Sequence, residues 1–131
     1  MDTLTKKAIL DSDDLDRRKV DVPEWGGTVW VRTLTGSERD QFEGSIIDTR
    51  GTDTKLNYTN LRAKLCVLTI TDEEGQRLFT DGDVGALGNK SAAALDRIFD
   101  VAQRLNGLRP QDIDELVKNS GSGPGEDSVS G

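Results

Sequence analysis

Between Lys90 and Asn106, the apolar residues Leu95, Ile98, Phe99, Ala102 and Leu105 recur with the 3.6-residue period of one helix face. A helix of this kind cannot stand alone, because its stripe must be buried against a second layer. Asn106-Gly107 followed by Leu108 predicts its end, a left-handed termination with an apolar contact back onto the helix. Pro110 suits the first position of a final helix, with Ile113, Leu116 and Val117 as its inner face.

The second layer is legible near the N-terminus. Val20 and Val22 alternate with charged residues, Pro23-Glu24-Trp25-Gly26-Gly27 reads as a turn, and Thr28-Val29-Trp30-Val31-Arg32 is β-branched and aromatic. This predicts a β-hairpin in which Gly26 and Gly27 supply the positive φ of a tight reversal. Strand parity places Val29 and Val31 on one face, and Trp30 and Arg32 on the other.

Two more helices are expected in the middle of the chain. The first is capped by Ser37, carries Glu38 and Asp40 in its first turn, and has Phe42, Ile46 and Ile47 as its stripe. Thr49 to Asn57 is polar and loop-like. The next helix starts near Tyr58 with Asn57 as its cap, and Tyr58, Leu61, Leu65 and Leu68 recur at helical spacing. Val67 to Ile70 fits either a last helical turn or a short strand. With Arg77-Leu78-Phe79 as an extended return, a small second strand pair is expected between Thr69 and Phe79. Asp81 to Gly88 is at most a short helix with Val84 and Leu87 as its apolar pair. The fold class is therefore α+β and mostly helical, with an N-terminal hairpin and about four helices.

Composition limits the size of the core. Leu, Ile, Val and Phe supply 32 of 131 residues, enough for one small domain. Residues 1–18 mix Asp and Lys/Arg with few large apolar groups and read as a flexible arm, with Leu10 and Leu15 as anchors. Residues 19–118 form the single compact domain. Residues 119–131, NSGSGPGEDSVSG, contain one apolar residue and read as a disordered Gly/Ser-rich tail.

Several functions drop out on chemistry. The chain has no His, the commonest general base and metal ligand, and one Cys, which excludes an intramolecular disulfide or a thiolate cluster. A net charge of −7 opposes binding to nucleic acid or an anionic bilayer, and no apolar run is long enough to span a membrane. Gly88-Asn89-Lys90-Ser91 approaches the end of a phosphate-binding loop, but Asn89 breaks the register that the backbone cradle needs. Asp11 to Asp16 opens like a calcium loop, yet Leu15, Asp16 and Val22 fail its third-ligand, turn and bidentate positions. Cys66 lies in an apolar stretch with no His to activate it and reads as a small buried hydrophobe. No metal, cofactor or catalytic residue is assigned, and the chain is not read as an enzyme. Trp25 and Trp30 remain. Each serves either hairpin packing or a binding surface, where Trp is enriched, with Glu24 as a rim carboxylate.

Several segments resemble a known family. Val22 to Glu43, VPEWGGTVWVRTLTGSERDQFE, pairs a Trp-Gly-Gly turn with a Leu-Thr-Gly-x-Glu-Arg helix start. Asp72 to Leu108 joins LFTDGDV to KSAAALDRIFDVAQRLNGL. Together with the helix after Pro110 they resemble the tail assembly chaperones of long-tailed, siphovirus-type bacteriophages. The resemblance implies a non-catalytic assembly factor of the host bacterial cytoplasm, absent from the mature virion. It would bind the tape measure protein, keep it soluble and help recruit tail tube protein. It also implies, for many members, a translational frameshift that yields a longer product. The competing expectation is a structural or regulatory phage adaptor, such as a head–tail connector or a repressor-binding protein.

Overall fold

The computed structural model describes residues 2–48, 55–56 and 58–108. The helix expected after Pro110, the tail from Asn119, the cap at Asn57 and most of the polar loop before it lie outside the described residues. The element order is α1 (Lys6–Asp11), β1 (Arg17–Val22), β2 (Gly27–Arg32), α2 (Gly36–Ile46), β3 (Ile47–Asp48), β4 (Lys55–Leu56), α3 (Leu61–Thr69), β5 (Ile70–Thr71), α4 (Val84–Gly88) and α5 (Ala92–Leu105). Short 3-10 turns cover Pro23–Trp25 and Asp81–Asp83. The protein is α+β and mostly helical, as its periodicity predicts.

The hairpin pairs Lys19 with Trp30 and Val20 with Val29, and runs from Arg17↔Arg32 at its open end to Val22↔Gly27 at its turn. Gly26 takes φ +73°, which a side chain would resist, so the reversal rests on glycine. The expected second strand pair takes a different form. β5 adds to the hairpin antiparallel to β2, giving the order β1-β2-β5, and Arg77 meets it through one bridge at Thr71. Ile70 sits opposite Val31 and both are fully buried, so β5 gains more from the existing sheet than from a sheet of its own. A separate two-stranded ladder joins β3 to β4.

Parity sorts the sheet. Val20, Val22 and Val31 are buried and Val29 is half-buried on the inner face, where α5 crosses β1 and β2. α3 is central, with α5, α4 and α2 against it, and everything from Leu65 to Thr69 is buried. The stripe read from sequence underestimates this helix, because neighbours on several sides also bury Cys66, Val67 and Thr69, while Arg62 stays exposed. Tyr58, expected to open that stripe, is exposed and precedes the helix. α3 starts at Leu61 instead, behind Asn60 in the left-handed conformation.

Two caps refine the sequence reading. α2 begins at Gly36 and is capped by Thr35, not Ser37. The Thr35 hydroxyl accepts from the Glu38 amide at 3.1 Å, and the Glu38 carboxylate accepts from the Thr35 amide at 3.0 Å. Glu spans that return and Asp40, one methylene shorter, does not serve it. α5 ends as expected. Gly107 takes φ +66°, the Leu108 amide donates to the Gln103 carbonyl at 2.8 Å, and Leu108 is buried.

Of the expected core residues, Leu65, Leu68, Leu95, Ile98 and Ala102 are buried, whereas Phe99 and Leu105 are half-buried at its margin. A five-residue stripe is wider than the strip α5 conceals, so its flanking members face partly outward. Leu10, read as an anchor for the arm, is 71% exposed, while Leu15 is half-buried. α1 has no buried residue at all.

Candidate protein-binding groove

The hairpin turn carries the first candidate residues. Pro23 fixes φ at the start of a 3-10 turn, and Trp25 closes it just before the left-handed Gly26. The turn is held to α5 by Glu24, whose two carboxylate oxygens accept from Arg97 Nε at 3.0 and 3.1 Å. A hydrogen bond from its own backbone amide, and then the Arg97 guanidinium, hold the Glu24 carboxyl below the usual range. Glu24 is thus half of an ion pair that braces the turn, and it does not line the groove described next.

Trp25 itself is 36% exposed and forms one wall of an open groove of about 640 Å³. Leu78, Phe79, Ala86 and Leu87 complete the apolar lining, with Asp83 and Lys90 at the edge. Trp30 lies elsewhere, on the outer face of β2. The guanidinium of Arg17 stacks 4.8 Å from its ring centroid, and Lys19 stands 6.0 Å away. Trp30 borders a second concavity of about 340 Å³ with Lys19, Val29, Thr71, Glu73 and Leu78. Leu78 therefore lines both hollows, and the two tryptophans flank it.

No sequence motif marks Leu78, which is 53% exposed. The available signal was parity. In the extended run Arg77-Leu78-Phe79 only one of two adjacent apolar residues can face the core, and here that is Phe79. The Leu78 amide donates to the Ile70 carbonyl at 3.2 Å, which pins the backbone so that the side chain projects. Below it, Arg77 Nε donates to the Val67 carbonyl at 3.1 Å and its guanidinium pairs with Asp81 at 3.3 Å.

The remaining candidate chemistry resolves into structure. Ser91, in the stretch resembling a phosphate loop, caps α5 by accepting from the Ala94 amide at 3.3 Å. Asp11 ends α1 and pairs with Lys7. Asp83 caps its own turn through the Thr80 amide at 2.8 Å, and no metal-holding group of side chains occurs among the described residues. Cys66 is fully buried, and burial, then the negative charge of Asp96, push its thiol up to about 12, far from a reactive thiolate. Glu38 is also held below the usual range. Burial pushes it upward, but hydrogen bonds from Arg32 and the Thr35 amide and the charges of Arg32 and Arg77 outweigh that. Glu24 and Glu38 are thus shifted in the direction opposite to that of a general acid. No helix among the described residues is long and apolar enough to cross a membrane.

The arrangement offers apolar contact flanked by single charges, the composition of a protein-binding surface. None of the curated proteins compared matches the chain. A solved structure, that of the bacteriophage HK97 tail assembly chaperone, superposes with a TM-score of 0.55 over 76% of this chain and 90% of that one. The two are 16% identical, so that likeness concerns the fold. The family model for the phage tail assembly chaperone matches residues 4–119, nearly the whole chain, and the protein belongs to that family.

Proposed function

We propose that this tail assembly chaperone binds the tape measure protein through the groove beside Trp25, keeps it soluble and helps bring tail tube subunits to it. It would act without catalysis, in the host bacterial cytoplasm, and leave before the virion is complete. The observation that carries the reading is an open apolar groove in which exposed Trp25, Leu78 and Ala86 stand over half-buried Phe79 and buried Leu87, in a chain with few apolar residues to spare.

The physics suits a weak, repeated contact. A groove of about 640 Å³ has room for a few side chains of an amphipathic segment, with Trp25 as the anchor and Trp30 beyond Leu78 as an extension. Each copy covers little area, so a long partner needs many copies. Glu24 acts through Trp25 by fixing the turn.

Co-expression with the tape measure protein of the same genome tests this. Wild type should keep that protein soluble and co-purify with it. Leu78→Asp and Trp25→Ala, with native circular dichroism, should lose most of the soluble partner. Equal solubility with both variants would remove the groove from the account. Finding the protein in finished particles would instead support the connector alternative.

A further inference from the structure

β1 is an edge strand, since the order β1-β2-β5 leaves it one neighbour. The ladder fixes which of its backbone groups are spent. The Thr33 amide donates to the Asp16 carbonyl at 2.8 Å, which makes Asp16 and Thr33 a hydrogen-bonded pair that continues the hairpin register. Such pairs alternate along an antiparallel ladder, so Arg18, Val20 and Val22 also turn their N–H and C=O groups toward β2. Arg17, Lys19 and Asp21 turn theirs the other way, where no strand of the described residues meets them. The six residues of β1 thus offer an open ladder about 20 Å long.

The side chains along this edge select what can add to it. Arg17, Arg18 and Lys19 are consecutive exposed cations in a chain of net charge −7. Parity puts Arg17 and Lys19 on the outer face, and Arg18 on the inner face with Val20 and Val22. Every other arginine among the described residues donates a hydrogen bond from its guanidinium, whereas that of Arg18 makes none and pairs with no carboxylate. Lys19 stands near the Trp30 ring and pairs with no acid. Asp72 and Glu73 follow β5, two strands away from β1, and Asp72 is occupied in accepting from the Glu74 and Gln76 amides. Toward the turn the sign reverses at Asp21.

Exposed cations commonly guard an edge against indiscriminate pairing. The guard is selective by charge. It repels a basic strand and attracts one that carries carboxylates at the facing positions. Nucleic acid answers the charges but not the ladder, because alternating N–H and C=O groups are matched by a peptide backbone.

We infer that β1 receives an extended acidic segment of a partner protein as a fourth strand of the sheet. Carboxylates of that segment stand opposite Arg17, Arg18 and Lys19, on both faces, and uncharged residues stand opposite Val20, Asp21 and Val22. This surface goes beyond the reading above and is separate from the groove at Trp25, which none of the three cations lines.

Titration of the full chain into a fluorescein-labelled, end-capped peptide, Val-Thr-Val-Glu-Glu-Glu, tests it. In an antiparallel register its glutamates fall opposite Lys19, Arg18 and Arg17. Binding should saturate below millimolar concentration. It should slow hydrogen exchange at the amides of Arg17, Lys19 and Asp21, while those of Arg18, Val20 and Val22, already in the ladder, change little. The double variant Arg18→Glu, Lys19→Glu, with native circular dichroism, should weaken binding by about tenfold or more and should instead take the peptide with lysines in place of glutamates. Lys19→Pro, which removes an edge donor, should weaken binding more than Lys19→Ala, which keeps it. Trp25→Ala should bind as wild type does. No saturation by millimolar concentration, charge-reversed protein that binds like wild type, protection without the alternation, Lys19→Pro equal to Lys19→Ala, loss of binding in Trp25→Ala, or tighter binding of an oligothymidine of equal charge would each overturn the inference. No tape measure protein is present, so the groove reading stands or falls by its own co-purification.

Discussion

Removing the Glu38 carboxylate should be among the costliest surface-proximal changes in this protein. Arg32 and Glu38 meet through two parallel hydrogen bonds of 2.9 and 2.8 Å, with side chains only 9% and 14% exposed. Arg77 adds a second guanidinium at 3.8 Å. Glu38→Ala strands Arg32 in a nearly dry site, and breaking such a pair costs about 3 kcal/mol at the low end of the usual range. It also removes half of the Thr35 capping box, which adds about 1 kcal/mol. For a domain of this size the sum lowers the thermal midpoint by on the order of 10–20 °C. The pH dependence has a definite sign. Because the folded carboxyl is held below its ordinary value, its contribution is present above about pH 4.3 and fades as pH falls through the folded value. Urea unfolding followed by far-UV circular dichroism, at neutral pH and again in acid, checks both statements. A neutral-pH loss under about 1 kcal/mol, or a wild-type advantage that persists undiminished in acid, would refute the argument.

Three further outcomes follow from packing. Ile98→Ala, at a fully buried position, should cost about 3 kcal/mol and Phe99→Ala less despite its larger side chain, because Phe99 is half-buried; parallel urea titrations decide the order. Gly107→Ala should lose about 1 kcal/mol in the same assay, since φ +66° disfavours a side chain. Cys66 should resist a thiol reagent in the native state and react only as the chain opens in urea; rapid native labelling would contradict a buried thiol raised to about 12.

The sequence disclosed most of what local chemistry decides. Alternation at Val20, Val22, Val29 and Val31 identifies the hairpin and its inner face, and the α5 stripe with its Asn-Gly-Leu ending identifies the dominant helix. What stayed hidden depends on tertiary neighbours. Thr35 outcompetes Ser37 because Glu38 can reciprocate its bond and also reach Arg32, a contact six residues away that no local pattern reveals. β5 joins the hairpin because Ile70 finds Val31 across some forty residues of chain. Trp25 and Trp30 stood out as rare residues, but the side chain between them did not. Leu78 acquires meaning only once Phe79 is seen to turn inward.

Hydrogen exchange of the chain alone and in complex with the tape measure protein would map where that partner sits. New protection is expected in Pro23–Trp25, in residues 77–79 and along α4 to Lys90, the segments that build the groove. Protection confined to the opposite end, at residues 33–39 and 105–107, with none beside Trp25 and Leu78, would contradict it.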